Sequence, residues 1–329
     1  MNTLLKVEDL VVKFRTKAGE VTAVSGVSFS LEKGKVLGIV GESGCGKSVT
    51  SLSILGLLPK HSGRVDQGRI LFNGENLLEK TNREMRAIRG NRIAMIFQDP
   101  MTSLNPVMKI GSQITETILE HQQVSKREAW NMAADLLRKV DIPSPEERLK
   151  EYPHQLSGGM KQRVMIALAM ACNPDLLIAD EPTTALDVTV QAQILELMRE
   201  RKEKDHVAIM LITHDMGVVA EMADDIMVMY AGQVMEYSGR EEIFDRPRHP
   251  YTQGLLRSIP RLTESEERLY SIEGSVPDIT QARVGCAFAS RCPYAKSICH
   301  EKDADLVRSG ESWVRCWKYH REGTQWENV

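Results

Sequence analysis

The stretch "GIVGESGCGKSVTSLSIL", Gly38 to Leu55, decides the fold. An apolar run, Val36 to Val40, enters a glycine-rich turn, and a helical pattern follows it. Gly41 to Ser48 fits G-x-x-x-x-G-K-S/T, and the residue types answer to phosphate chemistry. Glycines let backbone N–H groups curl around phosphate oxygens, and the start of the following helix adds positive potential. Lys47 can reach the outer phosphates and Ser48 can ligate magnesium. The candidate nucleotide contacts are therefore Gly41, Glu42, Ser43, Gly44, Cys45, Gly46, Lys47, Ser48 and Val49. Cys45 lies where a helix start lowers a thiol pKa, although a small residue tolerated as serine would be is the plainer role.

Farther along, "PDLLIADEPTTALD" reads as a buried strand, Leu176 to Ala179, ending in two carboxylates. In order after a phosphate loop, Asp180 is expected to hold magnesium and Glu181 to polarise the attacking water. The histidine of "LITHD", His214, follows a second apolar strand, "AIMLIT", that would deliver it to the same edge.

Composition narrows the alternatives. In 329 residues, 42% are apolar, enough to bury a sizeable core and to make two domains. Lys and Arg total 42 against 45 Asp and Glu, so charge makes no case for nucleic acid or an anionic membrane as the main partner. No apolar run approaches the roughly 18 residues of a membrane-spanning helix. Lys6, Glu8 and Asp9 interrupt the first segment too early for a signal peptide, so a cytoplasmic chain is expected. "KIGSQITETILEH" and "SKREAWNMAADLLRKVDI" carry apolar residues at helical spacing and end at the proline break "DIPSP". The run "RERKEKD" reads as a solvated helix face, and Cys172 as a core thiol.

Between the phosphate loop and the acidic strand lies "YPHQLSGGMKQRVMIALAMA", and here the chain resembles the ATP-binding subunits of ABC transporters. Leu156 to Met160 matches the LSGGQ signature except that Met160 replaces glutamine. The resemblance makes Gln98 in "IFQDP" the Q-loop residue, Ala185 to Asp187 the D-loop and His214 the switch histidine. Phe14 in "VVKF" takes the place of an adenine-stacking aromatic, without tyrosine's hydroxyl. It covers about residues 4–237 and implies Gln98 as a further magnesium ligand. Ser157, Gly158 and Gly159 open a helix expected from about Gly159 to Cys172, a second anion-binding helix start. By resemblance, two such chains meet head to tail, each laying its signature over the other's nucleotide, with Asp187 in the D-loop. "FQDPMTSLNP", "EYPHQLSGG" and "HPYTQGLLRSIP" resemble one branch, the ATPases of dipeptide and oligopeptide importers, whose relatives carry nickel and other small solutes.

The tail holds Cys286, Cys292, Cys299 and Cys316 in the pattern C-x5-C-x6-C-x16-C. Zinc sites usually show tighter pairs, and a reducing cytoplasm disfavours disulfides. Four thiolates match the ligand count of a [4Fe-4S] cluster, with zinc as the alternative and His300 or His320 as substitute ligands. "CAFASRCPYA" resembles the cysteine-bearing extension of the peptide-importer ATPases, which implies such a cluster, here a structural staple for about 261–320.

The expected fold is α/β, a P-loop NTPase core with an antiparallel β subdomain and an α-helical signature subdomain, plus a loop-rich cysteine-containing extension. The expected domains are an ABC ATPase over 1–259, with its helical part at about 99–165, and an extension over 260–329. The expected function is ATP hydrolysis powering import of di- and oligopeptides at the cytoplasmic face of the membrane. A paralogous ATPase, two permease subunits and an extracytoplasmic peptide-binding protein are the implied partners, and nucleic acid is not. The alternatives are a soluble ABC-type ATPase uncoupled from transport, an importer of nickel or another small solute, and an iron-sulfur assembly scaffold.

Overall fold

The computed structural model describes residues 3–17, 19–99, 103–184, 187–259, 271–277 and 284–320. Two compact units make up the chain, one built on residues 3–4, 31–35 and 76–212, the other on residues 5–30, 36–75 and from 213 onward, so that the ends of some strands fall in the neighbouring unit.

In the second unit, β1 (Thr3–Thr16), β2 (Gly19–Glu32) and β4 (Gly63–Phe72) form an antiparallel sheet in the order β2-β1-β4, with the short β5 (Glu75–Asn76) at its edge. Burial alternates along β1, the pattern of a strand with one face on the core and one in water. Between them in sequence, β3 (Val36–Val40) is buried at every residue and delivers the chain to the glycine-rich turn and α1 (Lys47–Ile54).

The first unit continues with α2 (Asn82–Ile88) and β6 (Ile93–Ile96). Then come α3 (Ile110–His121), α4 (Lys126–Lys139), α5 (Pro145–Arg148) and α6 (Gly158–Ala169). It closes with β7 (Leu176–Asp180), α7 (Val188–Asp205) and β8 (Ala208–Thr213), whose last residue falls in the second unit. Strands β8, β7 and β6 lie side by side and parallel, and β7 and β8 are wholly buried, as parallel strands are. The two helices expected from periodicity are α3 and α4, and α4 starts on a capping box between Ser125 and Glu128. Left-handed backbone at Asp141 and Ser144 produces the expected break. The charged end of α7 is exposed and laced by the Arg201–Asp205 and Lys204–Glu200 ion pairs.

Back in the second unit, α8 (Met216–Met222), β9 (Asp225–Tyr230), β10 (Gln233–Gly239), α9 (Arg240–Asp245) and α10 (Pro250–Arg257) precede α11 (Ser297–Glu301) and the hairpin β11 (Val307–Ser309) and β12 (Ser312–Val314). Its strand order is β11-β12-β10-β9-β3, with β3 parallel to β9 and the rest antiparallel. The segment expected to be loop-rich therefore contributes two strands to this sheet.

Candidate nucleotide-binding site

The phosphate-loop residues and His214 belong to the second unit; Gln98, the signature, Asp180, Glu181 and Asp187 belong to the first. In the loop, Gly46 takes the left-handed conformation at the helix start, φ 99°. A Cβ there would lie 2.8 Å from the Ala23 carbonyl oxygen, so neither backbone nor space admits another residue. Lys47 is buried and turns back on the loop, its Nζ donating to the carbonyls of Gly41 at 2.7 Å and Glu42 at 3.0 Å. The loop is thus curled around a cation, with Ser43 and Gly44 exposed at its crest and Ser48 and Val49 half-buried in the first helical turn. The Cys45 carbonyl accepts from Gly232 N–H at 3.1 Å, which ties the loop to the turn between β9 and β10. Cys45 itself is fully buried, 3.7 Å from Lys47 Nζ; burial outweighs that cation and pushes its thiol up, against the expected lowering. Cys172 is half-buried rather than in the core, near the Thr117 carbonyl.

Phe14 is half-buried in β1 opposite Gly63, where a Cβ would meet its ring at 2.8 Å. His214 is exposed directly after β8, and Asp215 beside it caps α8.

In the first unit, β7 carries Asp180 to its buried end, and Glu181 turns off it with φ 49°. Its amide donates to the Ile212 carbonyl, and its Oε2 accepts from the Thr184 hydroxyl at 2.9 Å and from Gln98 Nε2 at 3.1 Å. The structure therefore brings together Gln98 and Glu181, which lie 83 residues apart in sequence. Helix α6 begins one residue earlier than expected and stops at Ala169; Ser157 caps it by accepting from Met160 N–H, which any residue but proline at 160 can donate. Gly158 faces open space, and Gln162, from the next turn, donates to the Pro182 carbonyl at 2.6 Å. Asp187 caps α7 through Val190 N–H; Ala185 and Leu186 of the expected D-loop lie outside the described residues.

The four tail cysteines line one cavity of about 200 Å³, together with His249, Phe288 and Trp317. Burial first, and the other thiols second, push Cys292 up to about 11 and Cys316 up to about 12, so these groups are neutral near pH 7 unless a metal displaces their protons. Among the described residues no three or more His, Cys, Asp or Glu side chains gather closely enough to hold a metal ion. The expected cluster or zinc site is therefore not supported by the arrangement of these side chains, although all four thiols line the same cavity. His300 is exposed, and His320 packs at a tilt against Trp317 and bonds to the Asp305 carbonyl, whereas His249 is the imidazole on the cavity wall.

Sequence reading missed what surrounds the loop. Glu236 is fully buried and accepts the N–H groups of Arg248 and His249 at 2.8 and 2.9 Å, where α10 begins. His249 caps that helix, Pro250 opens it, and the Tyr251 hydroxyl accepts from Glu42 N–H of the phosphate loop at 2.9 Å. The triplet His-Pro-Tyr, a cap signal before a proline, was the available clue.

Residues 24–184 match the family described as ABC transporter, and residues 235–299 match the oligopeptide/dipeptide transporter C-terminal region. The chain is 53% identical over 318 residues to the dipeptide transport ATP-binding protein DppD of Bacillus subtilis, covering 96% of this chain and 95% of that protein. It is 52% identical to the oligopeptide transport ATP-binding protein OppD of the same organism, covering 98% and 91%. The chain belongs to the oligopeptide/dipeptide branch of the ABC transporter ATP-binding family. Among solved structures, this ABC ATPase is similar to the ATP-binding cassette MJ0796, described as a dimer bound to ADP and Pi. The TM-score is 0.65 at 26% identity, over 72% of this chain and 99% of that one. No helix among the described residues of this ABC ATPase is long and apolar enough to cross a membrane.

Proposed function

We propose that this ABC ATPase hydrolyses ATP to drive import of di- or oligopeptides, as one half of an ATPase pair on the cytoplasmic face of two permease subunits supplied by an extracytoplasmic peptide-binding protein. The observation that carries the reading is identity above 50% over nearly the whole chain to peptide-transport ATP-binding proteins, together with the match of residues 235–299 to their C-terminal region. Within the chain, Lys47 and the loop amides would take the β- and γ-phosphates, with Phe14 against the base. Magnesium, held through Ser48, Asp180 and Gln98, would neutralise phosphate charge. Glu181 accepts the proton of the attacking water as its oxygen bonds to the γ-phosphorus and the bond to ADP breaks. Its present contact with the Gln98 amide supports that role, since an amide donor orients a carboxylate and is well placed to sense its occupancy. His214 would contact the γ-phosphate, and Ser157, Gly158 and Gly159, with Asp187, would close over the partner's nucleotide. A paralogous rather than identical partner is the reading we adopt, and the ATPase domain is taken to end near residue 259.

Replacement of Glu181 by glutamine is expected to lower turnover about 10²- to 10⁴-fold while ATP binding survives. Wild-type turnover in that variant would overturn the role of Glu181. We further assign the four-thiol cavity to a [4Fe-4S] cluster with a structural role, supported by the presence of Cys286, Cys292, Cys299 and Cys316 on the wall of one space and by their number. Anaerobic purification is expected to yield iron and sulfide near four each per chain; stoichiometric zinc in a colourless protein would replace the cluster and leave the ATPase reading intact.

A further inference from the structure

The segment bearing Cys286 and Cys292 is joined to the phosphate loop through one buried guanidinium. The Arg291 side chain is 6% exposed, and its Nη1 lies 2.8 Å from Glu42 Oε2 and 3.2 Å from the Tyr230 hydroxyl. Nη2 donates to the Ile272 carbonyl at 3.0 Å and Nε to the Glu273 carbonyl at 2.9 Å. The same group sits 5.7 Å from the centre of the Tyr230 ring. Phe288, three residues earlier, packs against Tyr230 and Tyr251 at 5.4 and 5.3 Å between ring centres, and Tyr251 holds the Glu42 amide. The backbone and the carboxylate of Glu42 are therefore both fixed from outside the loop, by residues of the C-terminal region.

Lysine could not reproduce this arrangement, because a planar fork serves four acceptors in three directions and an ammonium has three donors. A charge-assisted bond shielded from water is also among the stronger contacts a side chain makes. Ser43 and Gly44, which follow, are exposed, so Glu42 is the last residue of the loop's entry that is anchored before the crest.

We propose that Arg291 is a positioning residue for the nucleotide site: through Glu42 it holds the phosphate loop in its curled form, and so makes nucleotide affinity depend on the cysteine-bearing segment. The inference rests on reading Gly41–Ser48 as the nucleotide site. It is tested with the full-length protein by fluorescence anisotropy of a labelled non-hydrolysable ATP analogue with magnesium, using wild type, Arg291→Ala, Arg291→Lys, Glu42→Gln and the Arg291→Ala/Glu42→Gln pair. Arg291→Ala and Glu42→Gln are each expected to weaken binding about tenfold, and the pair no more than Arg291→Ala alone, because both act through the charged Arg291–Glu42 contact. Arg291→Lys recovers part of the loss. Amide hydrogen exchange is expected to quicken at residues 41–46 in Arg291→Ala while β6, β7 and β8 keep wild-type protection, a localisation that a general loss of stability does not give. Wild-type affinity in a folded Arg291→Ala protein, or losses that multiply in the pair, overturns the proposal. Should Arg291→Ala not fold, a loss in Arg291→Lys smaller than that in Glu42→Gln supports it, and a loss confined to Glu42→Gln overturns it. Failure of the wild type to bind the probe, or full binding by Lys47→Ala, overturns the reading of the loop itself and the proposal with it.

Discussion

Gly41 and Gly44 lie three residues apart in one loop, yet their surroundings differ. A Cβ on Gly41 would stand 2.1 Å from the Met229 carbonyl oxygen and 2.7 Å from Cys45 Sγ, whereas a Cβ on Gly44 meets nothing within 4 Å. Backbone cannot yield as a flexible side chain can, so Gly41→Ala is expected to cost about 3 kcal/mol or more. Gly44→Ala, at φ 78°, carries only the left-handed penalty of about 1–2 kcal/mol. Urea unfolding of the two variants measures the difference; equal losses would contradict the packing of Gly41. His249 offers a test against pH. It is 1% exposed, and burial pushes its imidazole down to about 3. Between pH 6.5 and 3 the unfolded chain binds a proton there that the native chain refuses, so stability falls as pH falls, by about 1.4 kcal/mol per pH unit. His249→Asn keeps an oxygen to accept from Tyr251 N–H but does not titrate, and is expected to show a shallower decline below pH 6.5. Glu236, raised by burial, and the cations Arg248 and Arg315 are present in both proteins, so the difference isolates His249. Parallel profiles would refute a neutral, buried imidazole.

At the scale of elements, β12 covers the outer edge of β10 through pairs such as Glu236 with Val314. An uncovered edge is a template for pairing with other chains. A chain ended at Val284 would lose that cover, along with Trp317, which packs on Ala289, Cys299 and Ala304. Such a truncation is expected to unfold more than about 3 kcal/mol more easily and to elute as multimers; a monomer of wild-type stability would disprove the role of β12. These elements also mark where sequence ceased to be readable. Strand β3, helices α1, α3 and α4 and strand β7 were legible because each carries a run or periodicity of several residues or a strong cap. Strands β11 and β12 have three residues each, too few to show a period; β12 is a strand because it pairs with the distant β10, and β11 because it pairs with β12.

Across the whole molecule the same division holds for function. Residues proposed to meet a ligand directly, such as Lys47 and Glu181, announce themselves because phosphate and water chemistry permit few side-chain types at fixed spacing. Contacts that hold those residues in place obey no such code. Arg291 and Glu42 lie 249 positions apart and Gln233 and Asp303 bond across 70, with no local spacing to announce either pair. Long-range pairing is equally silent in the sequence: β12 pairs with β10 from beyond residue 300, and the transporter C-terminal region spans 235–299. The four cysteines were conspicuous as a group; that they enclose a space, with His249 rather than His300 or His320 at its wall, required the fold.

The crowding at Gly41 and Gly46 bears on descent. Both glycines are demanded by neighbouring backbone, the carbonyls of Met229 and Ala23, before any phosphate arrives. A duplicated copy of this chain released from selection for turnover would lose Glu181 early and keep those glycines as long as it still folded. In such a lineage the glycine spacing records ancestry and architecture, and a living enzyme is told from a relic by its carboxylates.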